Sequence, residues 1–224
     1  MRERPPRATP PSTVDVVLAT AMGNELGVLL TRSSSERERW SLPWRATQGG
    51  ETLDAASIRV AQDALGEPPI WIEQIGAFGD GKRHPSDAEI SVAFVGLVPH
   101  ETASPRAGYT WFPMGDHPPL TPRQRAMVEV ATRTIQGRLD QAPIAFRLLP
   151  PTFTLSELQQ MYELLLGKRL HKASFRRALQ AAWLVEPIDE WRSEGRGRPA
   201  QLFRYSPKKR RRPHRGVRFD FLYP

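Results

Sequence analysis

The most constraining stretch of this chain lies towards its C-terminal end, where apolar residues fall at helical spacing twice in succession and then give way to two strand-like runs around a charged, glycine-containing segment. Thr154-Leu155-Ser156-Glu157 has the form of a capping box, in which Thr154 caps a helix and Glu157 reaches back to the Thr154 backbone. Leu155, Leu158, Tyr162 and Leu165 form the stripe such a helix buries, and Gly167 ends it. A second helix is expected from about Lys172 to Trp183, with Phe175, Leu179 and Ala182 inward and Arg176, Arg177 and Gln180 outward. A strand near Val185, a charged loop from Asp189 to Gly197 and a strand from Gln201 to Tyr205 follow, and a short strand-like run, Ile144 to Leu148, precedes the first helix. Helix, turn, helix and basic hairpin make a winged helix-turn-helix.

In that geometry the second helix enters the major groove of DNA and presents its N-terminal residues to base edges, while neighbouring groups hold phosphates. The expected DNA-facing residues are Thr154, His171, Lys172, Ser174, Arg176 and Arg177, with Arg192, Arg196 and Arg198 on the wing. Arginine suits the task because its planar fork grips guanine or phosphate with two bonds. The alternative is a small helical domain whose arginines are merely solvated.

Charge distribution points the same way. The chain carries a formal +8, but residues 1–140 are at −2, residues 141–206 at +4 and residues 207–224 at +6. A near-neutral front joined to a basic rear is the pattern of a polyanion-binding module attached to something else; a solvated surface with a basic tail is the plainer reading. The tail holds Lys208, Lys209 and Arg210 in a run of five cations, expected to lie along phosphate or in solvent. Beyond it Val217, Phe219, Phe221 and Tyr223 alternate with Arg218, Asp220 and Leu222, which predicts a strand that docks as an added edge.

The front of the chain reads differently. Residues 1–12, rich in Pro and Arg, are expected to be a disordered arm. Val14, Val16 and Leu18 alternate, Met22-Gly23-Asn24-Glu25 supplies a turn, and Leu26 to Leu30 returns as a second strand. Thr52 caps a helix bearing Leu53, Ala56, Val60 and Ala64, which Gly66 stops. Two strands, Ile70 to Phe78 and Ile90 to Val98, flank a polar loop, and a helix from Thr121-Pro122 to Arg138 carries Met127, Val130, Ala131 and Ile135 on one face. Domains are therefore expected at 13–142 and 143–206, with 207–224 a basic tail. The absence of Cys rules out a disulfide scaffold, zinc-thiolate site or cysteine nucleophile. No apolar run approaches the roughly 20 residues of a bilayer span, so a cytoplasmic, nucleoid-associated chain with no membrane partner is expected.

The order of the front elements (strand pair, Trp40-Ser41-Leu42-Pro43, Gly49-Gly50-Glu51, helix with Arg59, Gly66, strand pair, helix) resembles the Nudix hydrolase fold, an α/β/α sandwich. The Nudix box has the form G-x5-E-x7-R-E-U-x-E-E-x-G-U, with U aliphatic. Its glutamates hold divalent metals that bridge a substrate pyrophosphate and activate water. With Arg59 as the box arginine, Glu51 takes the early glutamate and Gly66 the late glycine. Arg45 stands where the opening glycine belongs, Val60 replaces the glutamate after the arginine, and Asp63-Ala64 replaces the acid pair. No metal site and no catalytic residue are therefore assigned.

The combination of such a domain with Phe153-Thr154-Leu155-Ser156-Glu157-Leu158-Gln159, Tyr162-Glu163, Gly167-Lys168, Ser174-Phe175-Arg176-Arg177 and Gly197-Arg198-Pro199-Ala200-Gln201-Leu202-Phe203-Arg204 resembles the Nudix-related transcriptional regulators, the NrtR family. Asn is usual in the family where Ser174 stands here, and Phe78-Gly79-Asp80 with Arg83 resembles its ligand loop, with His84 in place of an acid. The resemblance implies an α+β chain with two domains. It implies a homodimeric repressor that binds a double-stranded DNA operator through symmetric half-sites, without a resident cofactor, and senses a nucleotide such as ADP-ribose in control of NAD metabolism. The nucleotide would shift the relative orientation of the two reading heads. Arg45, Glu51, Arg59 and Arg83 are the expected ligand-binding residues; in the alternative, a vestigial pocket, Arg59 and Glu51 pair to hold the helix. Two other functions stay open on sequence alone: a Nudix-type pyrophosphatase with an appended domain, and a nucleic-acid-binding protein without sequence preference.

Overall fold

An eleven-residue strand, Ser12–Met22 (β1), is buried on both of its faces and forms the centre of the first sheet. The computed structural model describes residues 12–32, 40–79, 84–99, 103–193 and 199–206. The N-terminal arm up to residue 11, Asp80, Arg83, Arg196, Arg198 and the tail with Lys208, Lys209, Arg210 and the alternating aromatic end lie outside the described residues. Gly23, at φ 59, makes the turn from β1 to Glu25–Arg32 (β2).

The remaining strands are Trp40–Ser41 (β3), Trp44–Ala46 (β4), Trp71–Phe78 (β5), Ile90–Leu97 (β6) and Tyr109–Pro113 (β7), all in one seven-stranded sheet. β6 runs parallel to β1 and antiparallel to β5, and β7 pairs with the outer side of β2. With those sides taken, β3 pairs with the end of β2 and β4 with the start of β1, so Trp40 to Ala46 is inserted where the first hairpin splays open. The short strands β3, β4 and β7 were not legible in the sequence, because two to five residues give too few alternations to count.

Leu53–Leu65 (α1) begins at Thr52, whose Oγ1 accepts from the Ala55 amide, and ends at Gly66 in the left-handed region. It buries Ala56, Val60, Ala61, Ala64 and Leu65 against Val14, Val16, Leu18, Leu29 and Phe94 of the sheet. Pro122–Arg138 (α2) belongs to the opposite face, where Gln124 reaches Asp15. The chain divides into two compact units, one of residues 1–19, 27–98 and 103–132 and one of residues 20–26, 99–102 and 133–224, so the last change of unit falls inside this helix.

The second unit contains Ile144–Arg147 (α3), Thr152–Thr154 (β8), Leu155–Leu166 (α4), Lys172–Ala182 (α5), Val185–Arg192 (β9) and Ala200–Tyr205 (β10), with sheet order β8-β10-β9. Two expectations are corrected here. Ile144 to Leu148 is a helical turn, not a strand: the Leu148 amide bonds the Ile144 carbonyl at 3.2 Å, and Phe146 becomes an aromatic hub 4.5 Å from Tyr205, 6.0 Å from Phe153 and 6.2 Å from Tyr162. A short apolar run does not distinguish helix from strand, and Pro143 favours a helix start. Asp189 to Arg192 is strand rather than loop: Pro187 pairs with Phe203 and Trp191 with Gln201, so a bulge on β9 breaks the alternation that would have revealed it.

Leu18 is fully buried under α1. Leu18→Ala is expected to cost about 2–5 kcal/mol and Leu18→Met less than about 1.5 kcal/mol, read from urea unfolding by circular dichroism.

Candidate ligand cluster and nucleic-acid interface

Two guanidinium–carboxylate pairs lie where the first unit's helix meets β4. Arg59 donates from Nε to Glu51 Oε1 at 2.7 Å and from Nη2 to Glu51 Oε2 at 2.6 Å, a fork-to-fork pair that ties the loop before α1 to the helix. Its Nη2 also lies 3.4 Å from the Ala46 carbonyl of β4. One turn further along the same face, Asp63 pairs with Arg45 Nε at 3.0 Å, and Arg45 Nη1 donates to its neighbour's carbonyl, Trp44 O, at 2.9 Å. The structure thus brings together three expected ligand residues, Arg45, Glu51 and Arg59, and adds Asp63 to them. Arg83 lies outside the described residues.

The bond from Arg59 holds the Glu51 carboxyl below the usual carboxylate range, against a smaller opposing effect of burial, and Glu51 in turn raises Arg59. Val60 and Ala64, where the box has glutamates, are 1% and 0% exposed and belong to the apolar core. Among the described residues no three His, Cys, Asp or Glu side chains gather as a metal set would require.

A second polar cluster was missed in the sequence. Asp15 is fully buried; its Oδ1 accepts from His84 Nε2 at 2.9 Å and from Gln124 Nε2 at 3.0 Å, and its Oδ2 from Thr13 at 2.9 Å. The Ser86 amide donates to His84 Nδ1 at 3.1 Å, which leaves Nε2–H as the donor to Asp15. Arg123, 3% exposed, holds the Ala88 and Glu89 carbonyls at 2.7 and 3.2 Å. His84 is therefore a buried anchor of the segment that leads into β6. An Asp in the middle of Val14-Asp15-Val16-Val17 was the available signal, since a buried carboxylate requires partners.

In the second unit the capping box forms as read. Thr154 Oγ1 accepts from the Glu157 amide at 3.1 Å and Glu157 Oε2 accepts from the Thr154 amide at 2.6 Å. Thr154 is 4% exposed and its hydroxyl accepts the cap bond that starts α4. Glu157 Oε1 also accepts from Arg192 Nη1 at 2.7 Å, so Arg192 fastens the wing strand to α4. Glu163 joins α4 to the turn before α5. Burial opposes its charge, but bonds from Gln159, the Leu170 amide and Arg169 outweigh it and hold the carboxyl below its usual range.

Helix α5 buries Phe175 and Leu179, each 1% exposed, and turns Lys172, Arg176, Arg177 and Gln180 to solvent. His171 precedes it in extended backbone, exposed, with Nδ1 3.3 Å from the half-buried Ser174 hydroxyl. Arg169 in the turn, its side chain 90% exposed, is a further cation that the sequence reading passed over. The described part of β9 presents Asp189, Glu190 and a 56% exposed Trp191.

A mixed sheet with a helix on each face, followed by a winged helix-turn-helix, defines a two-part chain with a Nudix-like front and a DNA-binding type of rear. Residues 145–205 match the NrtR DNA-binding winged helix domain. The chain is 28% identical over 215 residues to a protein from Acinetobacter baylyi described as an ADPR responsive transcriptional repressor NtrR, covering 88% of this chain and 83% of that one. Its fold is similar to that of Shewanella oneidensis NrtR complexed with a 27mer DNA, with TM-score 0.73 and 29% identity over 87% of this chain and 93% of that one. A MutT/nudix family protein from Enterococcus faecalis shares the fold at TM-score 0.66 and 17% identity, covering 89% of each chain. The chain is thus similar to NrtR proteins both in its winged helix and along most of its length.

Because Glu51 ionises more readily in the folded chain than in the unfolded one, its pair with Arg59 contributes stability that is present above the unfolded carboxylate pKa and lost as pH falls through the lower folded value. An NMR titration of the Glu51 carboxyl carbon is expected to give a midpoint below the model-peptide value, and Arg59→Ala should return it towards that value.

Proposed function

We propose that this protein is a DNA-binding transcriptional repressor whose Nudix-like domain, residues 13–142, senses a nucleotide of the ADP-ribose class without hydrolysing it, and whose winged helix, residues 143–206, binds the operator. The observation that carries the DNA-binding half is the exposed cationic face of α5, with Lys172, Arg176 and Arg177 set on a helix that Phe175 and Leu179 hold in place. The non-catalytic half rests on the front cluster: hydrolysis by the Nudix route needs metal-held water, and here the acid positions are Val60 and Ala64 while Glu51 and Asp63 are each bound by an arginine. The relatives support both halves, one described as an ADPR responsive repressor and one crystallised with DNA.

In this reading the protein acts as a homodimer on two symmetric half-sites about one helical turn apart, needs no resident cofactor and regulates genes of NAD metabolism from the cytoplasm. Among the described residues no helix is long and apolar enough to cross a membrane. Lys208, Lys209 and Arg210 add affinity for phosphate without sequence preference.

Two experiments test the proposal. Arg176→Ala and Arg177→Ala are each expected to weaken binding to DNA selected from a random pool by about 1–3 kcal/mol where the residue reads a base. A residue that holds phosphate should instead weaken selected and random DNA alike and reduce the salt slope by about one. Unchanged affinity in both variants contradicts the placement of the reading helix. With ADP-ribose and magnesium, turnover is expected to stay far below ordinary enzyme rates of about 1 per second or faster; turnover at that rate promotes the pyrophosphatase reading.

A further inference from the structure

A divalent cation, which the Nudix box implies, does not fit the residues that stand in its place. Val60 and Ala64 supply no oxygen and are packed into the core. The two remaining acids, Glu51 and Asp63, each hold a guanidinium at 2.6 and 3.0 Å. Magnesium demands several oxygen ligands in near-octahedral order and sheds water reluctantly. To bind here it has to compete with Arg59 for both oxygens of Glu51 and sit beside Arg45 at Asp63, with two cations tethered next to it.

The two pairs are not equivalent. Arg59 commits Nε and Nη2 to Glu51 in a fork-to-fork bond and has 26% of its side chain exposed, with Glu51 at 15%. That pair is a fixture of the loop and the helix. Arg45 makes a single contact to Asp63 through Nε and one bond to the Trp44 carbonyl, with both side chains of the pair near 40% exposed, at 43% and 39%. Two bonds leave most of its five N–H groups without a partner among the described residues. An exposed, single-contact ion pair is weak, whereas a phosphoryl group offers a guanidinium two charge-assisted bonds at once. Arg45 is therefore held near its working position by a partner that a phosphate can replace.

We infer that Arg45 is the phosphate receptor of a metal-free pyrophosphate site and that Asp63 is its resident counter-ion, which competes with the ligand instead of holding a metal. The ligand class is a pyrophosphate ester, and the inference rests on the sensing role proposed above. A metal-held pyrophosphate and an arginine-held one respond oppositely to loss of the Asp63 charge. A metal ligand is lost in the first case; a competing anion is removed in the second.

The test is calorimetric titration of ADP-ribose, and separately of inorganic pyrophosphate, into the full chain at matched ionic strength with either EDTA or magnesium. Equal affinity for ADP-ribose is expected in both buffers, and inorganic pyrophosphate, which magnesium itself chelates, is expected to bind at least as tightly in EDTA. Asp63→Asn should tighten binding by about threefold or more, and Arg45→Gln should weaken it by about tenfold or more. Binding that appears only with magnesium, or an Asp63→Asn variant that loses affinity while its thermal melt matches the wild type, overturns the inference. If pyrophosphate shows the expected pattern and ADP-ribose does not bind, the site stands and the effector assignment falls. If neither probe binds in EDTA, the inference falls too.

Discussion

The paired charges on the outer face of α1 set what the first unit can do. A guanidinium bonded to a carboxylate competes with a metal for it, and the neighbouring positions have been given over to packing, with Val60 and Ala64 in the same apolar cluster as Val14, Leu18 and Phe94. One helix thus has its inner face widened into the core and its outer face closed by Arg59–Glu51 and Arg45–Asp63. The exposed pair remains exchangeable, which is what the proposed phosphate-sensing role requires of it.

The second unit is organised by a different economy of bonds. Glu157 uses one oxygen to complete the cap of α4 and the other to hold Arg192 of the wing strand, so one carboxylate sets both the start of a helix and the root of the hairpin. Glu163 does the same for the turn, accepting from the Leu170 amide and from Gln159. The consequence is a short, well-held connection between α4 and α5, which delivers Lys172, Arg176 and Arg177 to solvent on one side while Phe175 and Tyr162 pack on the other. An arginine presented from a positioned helix retains its charge without spending it on internal partners.

Much of this was readable in the chain, for local reasons. Thr52, Gly66, Thr154, Glu157 and Gly167 act within one turn of themselves, so caps and stops followed from residue identity. The front strands were legible where they ran for eight residues or more. What was not legible depends on distant partners. Ile144 to Leu148 is helical because Phe146 is drawn under Tyr162 and Tyr205. β9 is hidden by its bulge opposite Leu202. The pairing of Arg45 with Asp63 joins a strand to a helix, and that of Asp15 with His84 and Gln124 spans 69 and 109 residues. That Glu157 binds both the Thr154 amide and the Arg192 guanidinium is visible only in the fold.

The central claim is that a nucleotide held in the first unit changes the DNA affinity of the second. The direct test is fluorescence anisotropy of selected DNA titrated with the full chain at one fixed salt concentration, with and without saturating ADP-ribose. Coupling free energies of about 1–3 kcal/mol are typical, so DNA affinity is predicted to fall by about 5- to 150-fold with the nucleotide bound, and the nucleotide's affinity to fall by the same factor when DNA is bound. Equal DNA affinity with and without nucleotide, in a sample where calorimetry shows the nucleotide bound, would contradict the account.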